Sequence, residues 1–451
     1  MTKADILIIG GGAAGMSAAM AAGSCQKDKR TVLVRATKQA IVPCAIPYIF
    51  ASLEGPEEIV VPDAMVENFG VEIVVAEVTG LDVEKKVAVL DDGQEIAWDK
   101  LILATGSGPS DLPIPGLELE GCWTIQKDVA YLSKLREAVL QAEKIAIIGC
   151  GFIGAELADE LSKLPGKEIH GIDILDNPLA AAFDPELCDI IADLLRGQGV
   201  NLHLGRQVKR VLGSSRVEGV ELDDGSTIDA DLVIVSVGAR PNTKLAEVAG
   251  LRYERGGIWV DEYTRTSHPD VFAVGDCAIK RDFFTRRRAA ILLASTASAE
   301  ARTAVANLYA LRVVKVVKGT LAAFTTYIGG MAFGVVGMTE RRAREEGFDV
   351  VVGHSKSVNR HPGKLPGAQE ENFKLVFARD SGLLLGGEVW GSQALGETLT
   401  AINVAVQGQV SVSELEALQY ATHPWLTASP VGYPFVIAAQ DALSQLYSSR
   451  K

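Results

Sequence analysis

The 451-residue sequence predicts an α/β protein. Three observations carry that prediction: a strand–glycine turn–helix pattern that occurs twice, further apolar strands that end in small-residue turns, and a β-rich last third without such a turn. The first pattern is Asp5-Ile-Leu-Ile-Ile-Gly-Gly-Gly-Ala-Ala-Gly15. An apolar strand runs into Gly10-x-Gly12-x-x-Gly15, with Ala14 inside the turn, and an Ala-rich helix follows. The second is Ile145-Ala-Ile-Ile-Gly-Cys-Gly-Phe-Ile-Gly154, then a helix over 155–164. Its turn is Gly149-x-Gly151-Phe152-Ile153-Gly154. In such a turn the first glycine permits the bend and the second lets backbone approach a pyrophosphate. The third packs helix closely on strand, and the helix N-terminus faces the anion. One such motif is weak evidence, but two in the same strand–helix context are strong evidence of two dinucleotide sites.

The strand after each helix should end near an adenosine ribose. In the second unit that strand covers 168–174 and carries Asp173 near its end. A carboxylate there accepts from ribose hydroxyls and repels a 2′-phosphate, so the unit reads as an NADH site in preference to NADPH. In the first unit the strand is 31–34 and the corresponding residue is Arg35, where an acid is expected. Two more strands follow the same plan. Lys100-Leu-Ile-Leu-Ala104-Thr105-Gly106 ends in small residues, and Asp231-Leu-Val-Ile-Val-Ser-Val-Gly238 runs into Ala239-Arg240-Pro241-Asn242. Finally, Asp270–Ala278 sets Asp276 after Gly275, just past a strand. Asp276 can accept hydrogen bonds from a ribityl chain, or serve as a plain helix cap.

Composition narrows the function. Apolar residues are 48%, glycines number 45 and aromatics are only 6%, which suits tight strand-to-helix turns. A net charge of −13 gives no basic face for nucleic acid. The apolar run 6–22 is too glycine-rich for a membrane span, and Met1–Asp5 leads into a strand without a basic leader. Six cysteines are present without CxxC or zinc spacing, so no metal site and no structural disulfide is expected, and a cytoplasmic location is. In the last third, strands are expected over 327–336, 373–378 and 383–388, and helices over 394–406 and 413–420. Ser413-Glu-Leu-Glu416 reads as a capping box.

Together these blocks resemble the pyridine-nucleotide–disulfide oxidoreductase family over the whole chain. The resemblance implies an FAD-binding domain of residues 1–118 and 253–322, with an NAD(P)H-binding domain, 119–252, inserted in it. It also implies a C-terminal α+β dimerisation domain, 323–451, and a homodimer whose C-terminal segment completes the partner's active site. The segment Ile41-Val-Pro43-Cys44-Ala-Ile-Pro47-Tyr48 is similar to the single-cysteine branch: coenzyme A-disulfide, persulfide and polysulfide reductases, NADH oxidases and NADH peroxidases. Ala45 replaces that motif's glycine, and no second cysteine follows as in the glutathione-reductase branch. Cys44 is therefore the candidate redox thiol. At a helix N-terminus its thiolate would be favoured, and it would cycle through a mixed disulfide or a sulfenic acid. Cys25, Cys122, Cys150, Cys188 and Cys277 read as structural.

Tyr420-Ala-Thr-His423-Pro424 is similar to the acid–base segment of dithiol members, although Ala428 stands where a carboxylate orients the histidine. His423 and Tyr420 are both candidates for catalysis, with interface packing as the alternative. Arg286, Arg287 and Arg288, with Lys280 and Arg281, read as solvated surface in preference to a phosphate site. The expected substrate is a small thiol, disulfide or sulfur compound. The uncharged helix 16–23 argues against coenzyme A disulfide, and no rhodanese-like extension is expected. Oxygen or peroxide reduction through a sulfenic acid, and electron transfer to a protein carrier that would not need Cys44, are the competing readings.

Overall fold

The computed structural model describes residues 2–311 and 315–448. The chain divides into two compact units, Met1–Ala142 with Ile234–Thr320 and Glu143–Val233 with Leu321–Lys451. It passes between them within the strand Leu232–Val235.

The first unit is built on a sheet ordered Glu72–Val75, Thr31–Arg35, Thr2–Ile9, Glu95–Leu103, Val87–Leu90, Val78–Asp82, with Val271–Ala273 also paired to Glu95–Leu103. Thr2–Ile9 pairs in parallel on both sides, Ile9 opposite Val34 and opposite Leu103. A parallel strand is covered on both faces, and so Ile6, Leu7 and Ile8 are an unbroken apolar run, all fully buried. The helix Ala13–Cys25 has no charge in its first or last turn. Its small buried residues Ala18, Ala19 and Ala22 let it lie close to the helix Ala294–Asn307 through Ala297, Ala301 and Ala304. Ser17 Oγ donates to Ser298 Oγ across that contact at 2.9 Å. Beyond Arg35 the chain leaves the sheet in a long excursion. Ala40–Ile41 pairs with Val60–Val61 at its neck, and two 3₁₀ helices, Pro43–Ile49 and Pro56–Ile59, form its body.

The second unit repeats the parallel ladder with Lys144–Ile148, Glu168–Asp173 and Asn201–Leu204. Its last third is an antiparallel sheet ordered Phe324–Ile328, Met331–Gly337, Leu384–Gly391, Glu370–Ala378, Val350–Val358. The helices Leu395–Gln407, Val412–Glu416 and Pro434–Ser448 follow or pack on it.

Several expectations need correction. The strand expected over 327–336 is a hairpin, because Gly329 and Gly330 turn the chain at φ of 59° and 82°. The capping box is Ser411 with Glu414, two residues earlier than expected, since the helix begins at Val412. The helix expected over 155–164 begins at Phe152, directly after the glycine turn. The strand Val350–Val358 and the helix Pro434–Ser448 were not anticipated. They touch at Gly353, where a Cβ would lie 1.9 Å from the Ala438 carbonyl oxygen.

Candidate dinucleotide sites and redox cysteine

The first glycine turn is shaped as the spacing requires. Gly10 has φ 118°, and a Cβ on it would lie 2.0 Å from the Ala104 carbonyl oxygen. A Cβ on Gly15 would lie 1.8 Å from the Gly10 carbonyl oxygen, so helix and strand touch backbone to backbone. At Gly12 a Cβ would meet nothing within 4 Å, and no side chain caps the helix that follows. The N–H groups of that first helical turn thus face an opening suited to a diphosphate. A cavity of about 880 Å³ lies in this unit, lined by Gly10, Val34, Ala36, Ala76, Thr105 and Arg240 among others. The sequence reading did not select Ala76, whose segment carries no motif, and within the Gly238–Asn242 motif it selected Gly238 and not Arg240.

Two later segments close on this turn. Gly275, at φ 73°, packs so that a Cβ would lie 2.7 Å from Ala14 Cβ, which sets Asp276 beside the start of the first helix. Ser107 Oγ donates to Asp276 Oδ2 at 2.8 Å, and Lys127 Nζ lies 3.8 Å from the same oxygen. Gly106 turns the chain at φ 68°. Thr105 Oγ1 donates to the Asn242 carbonyl and Asn242 Nδ2 returns a bond to the Thr105 carbonyl, each 2.9 Å, just beyond the Gly238 turn. Lys280 is buried, pairs with Glu300 at 3.0 Å and donates to the Gly275 and Ala278 carbonyls. It therefore holds the Asp276 turn and is not part of the exposed Arg286–288 surface as expected. The open turn, the bounded cavity and an acceptor at Asp276 together fit FAD.

The second turn has the same form. Gly149 has φ 97°, Gly151 meets nothing within 4 Å of its would-be Cβ, and the helix after it lacks a side-chain cap. Phe152 stacks on Phe324 at 4.9 Å, while Ile153 and Gly154 continue the first helical turn. Asp173 closes its strand, accepting from Cys150 N at 2.6 Å and Leu175 N at 2.9 Å. Two backbone donors fix this carboxylate and leave it lone pairs for a diol.

Arg35 ends the corresponding strand in the first unit and is 2% exposed. Its Nη1 and Nη2 grip Asp63 at 2.6 and 2.7 Å, Nη2 also donates to the Lys38 carbonyl at 2.8 Å, and Nε to the Thr37 carbonyl at 3.1 Å. Its donors point at protein.

The cysteines separate by environment. Burial pushes the Cys150 thiol up to about 12, with Asp173 adding to the effect, Cys188 up to about 12 and Cys122 up to about 11. Burial also raises fully buried Cys277. Only Cys25 and Cys44 are exposed, and none of the six is disulfide-bonded. Cys25 is the last residue of its helix, where the dipole disfavours an anion. Cys44 lies in the first turn of Pro43–Ile49. That element is a seven-residue 3₁₀ helix, so the dipole at its N-terminus is a short one. Ala45 is not at positive φ, so the backbone here does not demand the glycine it replaces. Arg136 Nε supports the far end, donating to the Ile49 carbonyl at 2.8 Å.

In the C-terminal segment, His423 is exposed and its Nδ1 accepts from Trp425 N at 3.3 Å. That bond places the proton of a neutral ring on Nε2. The Tyr420 hydroxyl donates to the Pro430 carbonyl at 2.6 Å, and its ring stacks on Tyr433 at 3.9 Å. His423 thus leaves Nε2 free of that bond on an exposed ring, whereas the Tyr420 hydroxyl is engaged by the Pro430 carbonyl. Trp425, Leu426 and Val431 are exposed apolar neighbours. Elsewhere in this unit Asp184, Glu186 and Glu388 could hold a cation by geometry among the described residues, but the buried Lys374 ammonium already contacts all three. Among the described residues no helix is long and apolar enough to cross a membrane.

Residues 4–301 match the model of the pyridine nucleotide-disulphide oxidoreductase family, and residues 324–432 match its dimerisation domain. The chain is 30% identical to an NADH oxidase of Methanocaldococcus jannaschii over 98% of this chain and 99% of that one. It is 33% identical to an NAD(P)H coenzyme A polysulfide/persulfide reductase of Pyrococcus horikoshii, over 90% and 92%. Among solved structures it superposes on an NAD-dependent persulfide reductase of A. fulgidus with a TM-score of 0.89 and 27% identity, over 98% of this chain and 84% of that one. The chain belongs to the pyridine nucleotide-disulphide oxidoreductase family and is an NAD(P)H-dependent flavin oxidoreductase.

Proposed function

We propose that this protein carries electrons from NADH through FAD to Cys44, and from Cys44 to a disulfide, persulfide or polysulfide. The observation that carries this reading is the placement of Cys44: it is one of two exposed cysteines, and it alone sits in a Pro-Cys-x-x-Pro-Tyr loop rather than at a helix C-terminus. When bound, FAD supplies the two-electron relay between nicotinamide and sulfur. Gly10, Gly12 and Gly15 would bear its diphosphate, with Ala14, Ala104, Thr105, Gly106, Gly238, Gly275 and Asp276 around it. Gly149, Gly151, Phe152, Ile153 and Gly154 would bear the nicotinamide dinucleotide, and Asp173 would select NADH over NADPH. The Cys44 thiolate attacks one sulfur of the acceptor, forming a mixed disulfide and releasing a thiolate. Two electrons then cleave the mixed disulfide, releasing the second thiolate and restoring Cys44.

In this reading the domains are 1–118 with 253–322, 119–252 and 323–451, and two copies form a homodimer. The exposed Trp425, Leu426 and Val431 support a covered C-terminal face, and His423 of one copy would protonate a leaving thiolate in the other. Six cysteines without a disulfide suit a reducing compartment, the cytoplasm. The similarity to an NADH oxidase of Methanocaldococcus jannaschii supports a second reading, in which Cys44 carries a sulfenic acid during oxygen or peroxide reduction.

Steady-state NADH oxidation with polysulfide, coenzyme A disulfide, oxygen, peroxide and a protein electron carrier separates these readings. Polysulfide or disulfide turnover above the oxygen rate, reduced on the order of a hundredfold or more in Cys44→Ser, is expected. Equal rates in both proteins would sink the thiol reading and leave transfer to a protein carrier.

A further inference from the structure

We propose that Arg35 is a positioning residue that clamps the Cys44 excursion to the first glycine turn. This rests on the reading of Cys44 as the redox thiol. Residues 36–62 leave the sheet between Arg35 and Asp63 and carry Cys44. The Arg35 guanidinium bonds both feet of this segment: the Thr37 and Lys38 carbonyls where it departs and the Asp63 carboxylate where it returns. The grip on Asp63 is bidentate, and the guanidinium is almost wholly buried while Asp63 is 40% exposed. A planar five-donor fork can make these bonds together, and an ammonium cannot.

Asp63 pays a local cost for this. It occupies the N-cap of Ala64–Glu67, yet its side chain makes no capping bond, being directed to Arg35 instead. The Arg35 stem lies on the glycine turn itself, for a Cβ on Gly11 would be 2.8 Å from Arg35 Cδ. One side chain therefore joins the backbone that would bear the FAD diphosphate to both feet of the loop that bears the thiol. The neck pairing of Ala40 with Val61 and Ile41 with Val60, and the bond from Val42 N to the Ile59 carbonyl at 2.9 Å, pass that anchorage on toward Cys44. An acid at this strand end would be free for the ribose; this chain uses the position to hold its loop.

The test uses FAD-saturated Asp63→Asn and Arg35→Lys proteins and their double variant, beside wild type and Cys44→Ser. Asp63→Asn keeps the size of a part-exposed side chain but removes the charge facing the buried Arg35 guanidinium, so thermal melting at full FAD occupancy first establishes that each variant is folded. Hydrogen exchange across 38–61 should quicken on the order of tenfold, the weight of a charge-assisted bond. The long-wavelength thiolate–flavin band on anaerobic NADH addition should lose most of its amplitude at full FAD occupancy. The double variant should be no worse than Arg35→Lys alone, as expected for one coupled unit. A full band in Asp63→Asn and Arg35→Lys overturns the clamp, whether or not exchange quickens, because a merely structural role moves only the exchange. A band that persists in Cys44→Ser instead overturns the reading of Cys44.

Discussion

The two glycine turns are alike in backbone and opposite at the strand that follows. Gly10 and Gly149 both turn at strongly positive φ, Gly12 and Gly151 both enter an uncapped helix through extended backbone, and both turns open onto space where a Cβ would meet nothing. The next strand then ends in Arg35 in one unit and Asp173 in the other. Asp173 is held by two backbone N–H groups and keeps lone pairs for a ligand. Arg35 spends its donors on Asp63, Thr37 and Lys38. The comparison teaches that the glycine scaffold sets where a diphosphate sits, while the strand end is free to take a different task. In one unit the strand end is a carboxylate that would recognise a ribose, and in the other it is a guanidinium bonded to its own loop.

The largest effect should come from breaking the scaffold itself. Gly15→Ala must drive a methyl into the Gly10 carbonyl, so it should cost about 3 kcal/mol or more and release FAD. Gly12→Ala meets no atom and should unfold within about 0.5 kcal/mol of wild type, yet weaken FAD because its methyl stands in the diphosphate opening. Denaturant titration with flavin retention checks both, and equal stability of the two variants would refute the geometry. Next in size, Asp173→Asn should lower kcat/KM for NADH about tenfold and NADPH less, narrowing the preference. Arg35→Lys should leave that preference unchanged, and a matching shift would erase the distinction between the strand ends.

The smallest effect concerns a buried ion pair of the second unit, the counterpart of Arg35 with Asp63. Lys374 is 3% exposed and lies 2.7 Å from Asp184. Burial alone would lower the ammonium's pKa, but Asp184 and Glu186 more than reverse it. Glu388, fully buried beside them, is pushed up to about 8 by burial and by Asp184. An acid raised in the folded state binds more protons there than when unfolded, so its contribution declines as pH climbs from the ordinary carboxylate range toward about 8. Glu388→Gln cannot ionise, so its Tm should fall less than that of wild type between pH about 5 and about 8. Parallel Tm profiles would remove Glu388 from the account.

Much of this was legible in the sequence because the constraints are local. Gly10 and Gly149 are required by their positive φ and Gly15 by its contact with the Gly10 carbonyl, and Cys44 announces itself by the prolines around it. What was hidden depends on distant partners or close choices of register. Nothing near Arg35 announces Asp63, which returns only after the excursion. Ser411 and Ser413 each stand three residues before a glutamate, so two capping boxes compete, and the buried Val412 and Leu415 decide for the first. The Gly329-Gly330 pair, read as part of one strand, was the available sign of a hairpin. Burial of Phe435, Ala438, Ala439 and Ala442 on one face of Pro434–Ser448 was equally readable from helical spacing. Lys280 looked like one more cation in a basic stretch, and only the fold brings Glu300 against it.

The central claim is that Cys44 stands against the flavin and accepts its electrons. Anaerobic titration of the FAD-bound protein with NADH, followed in the visible spectrum for wild type and Cys44→Ser, tests it most directly. A long-wavelength band that grows in wild type and is missing from Cys44→Ser is the result predicted. Flavin bleaching that is identical in the two proteins, with no such band in either, would contradict it.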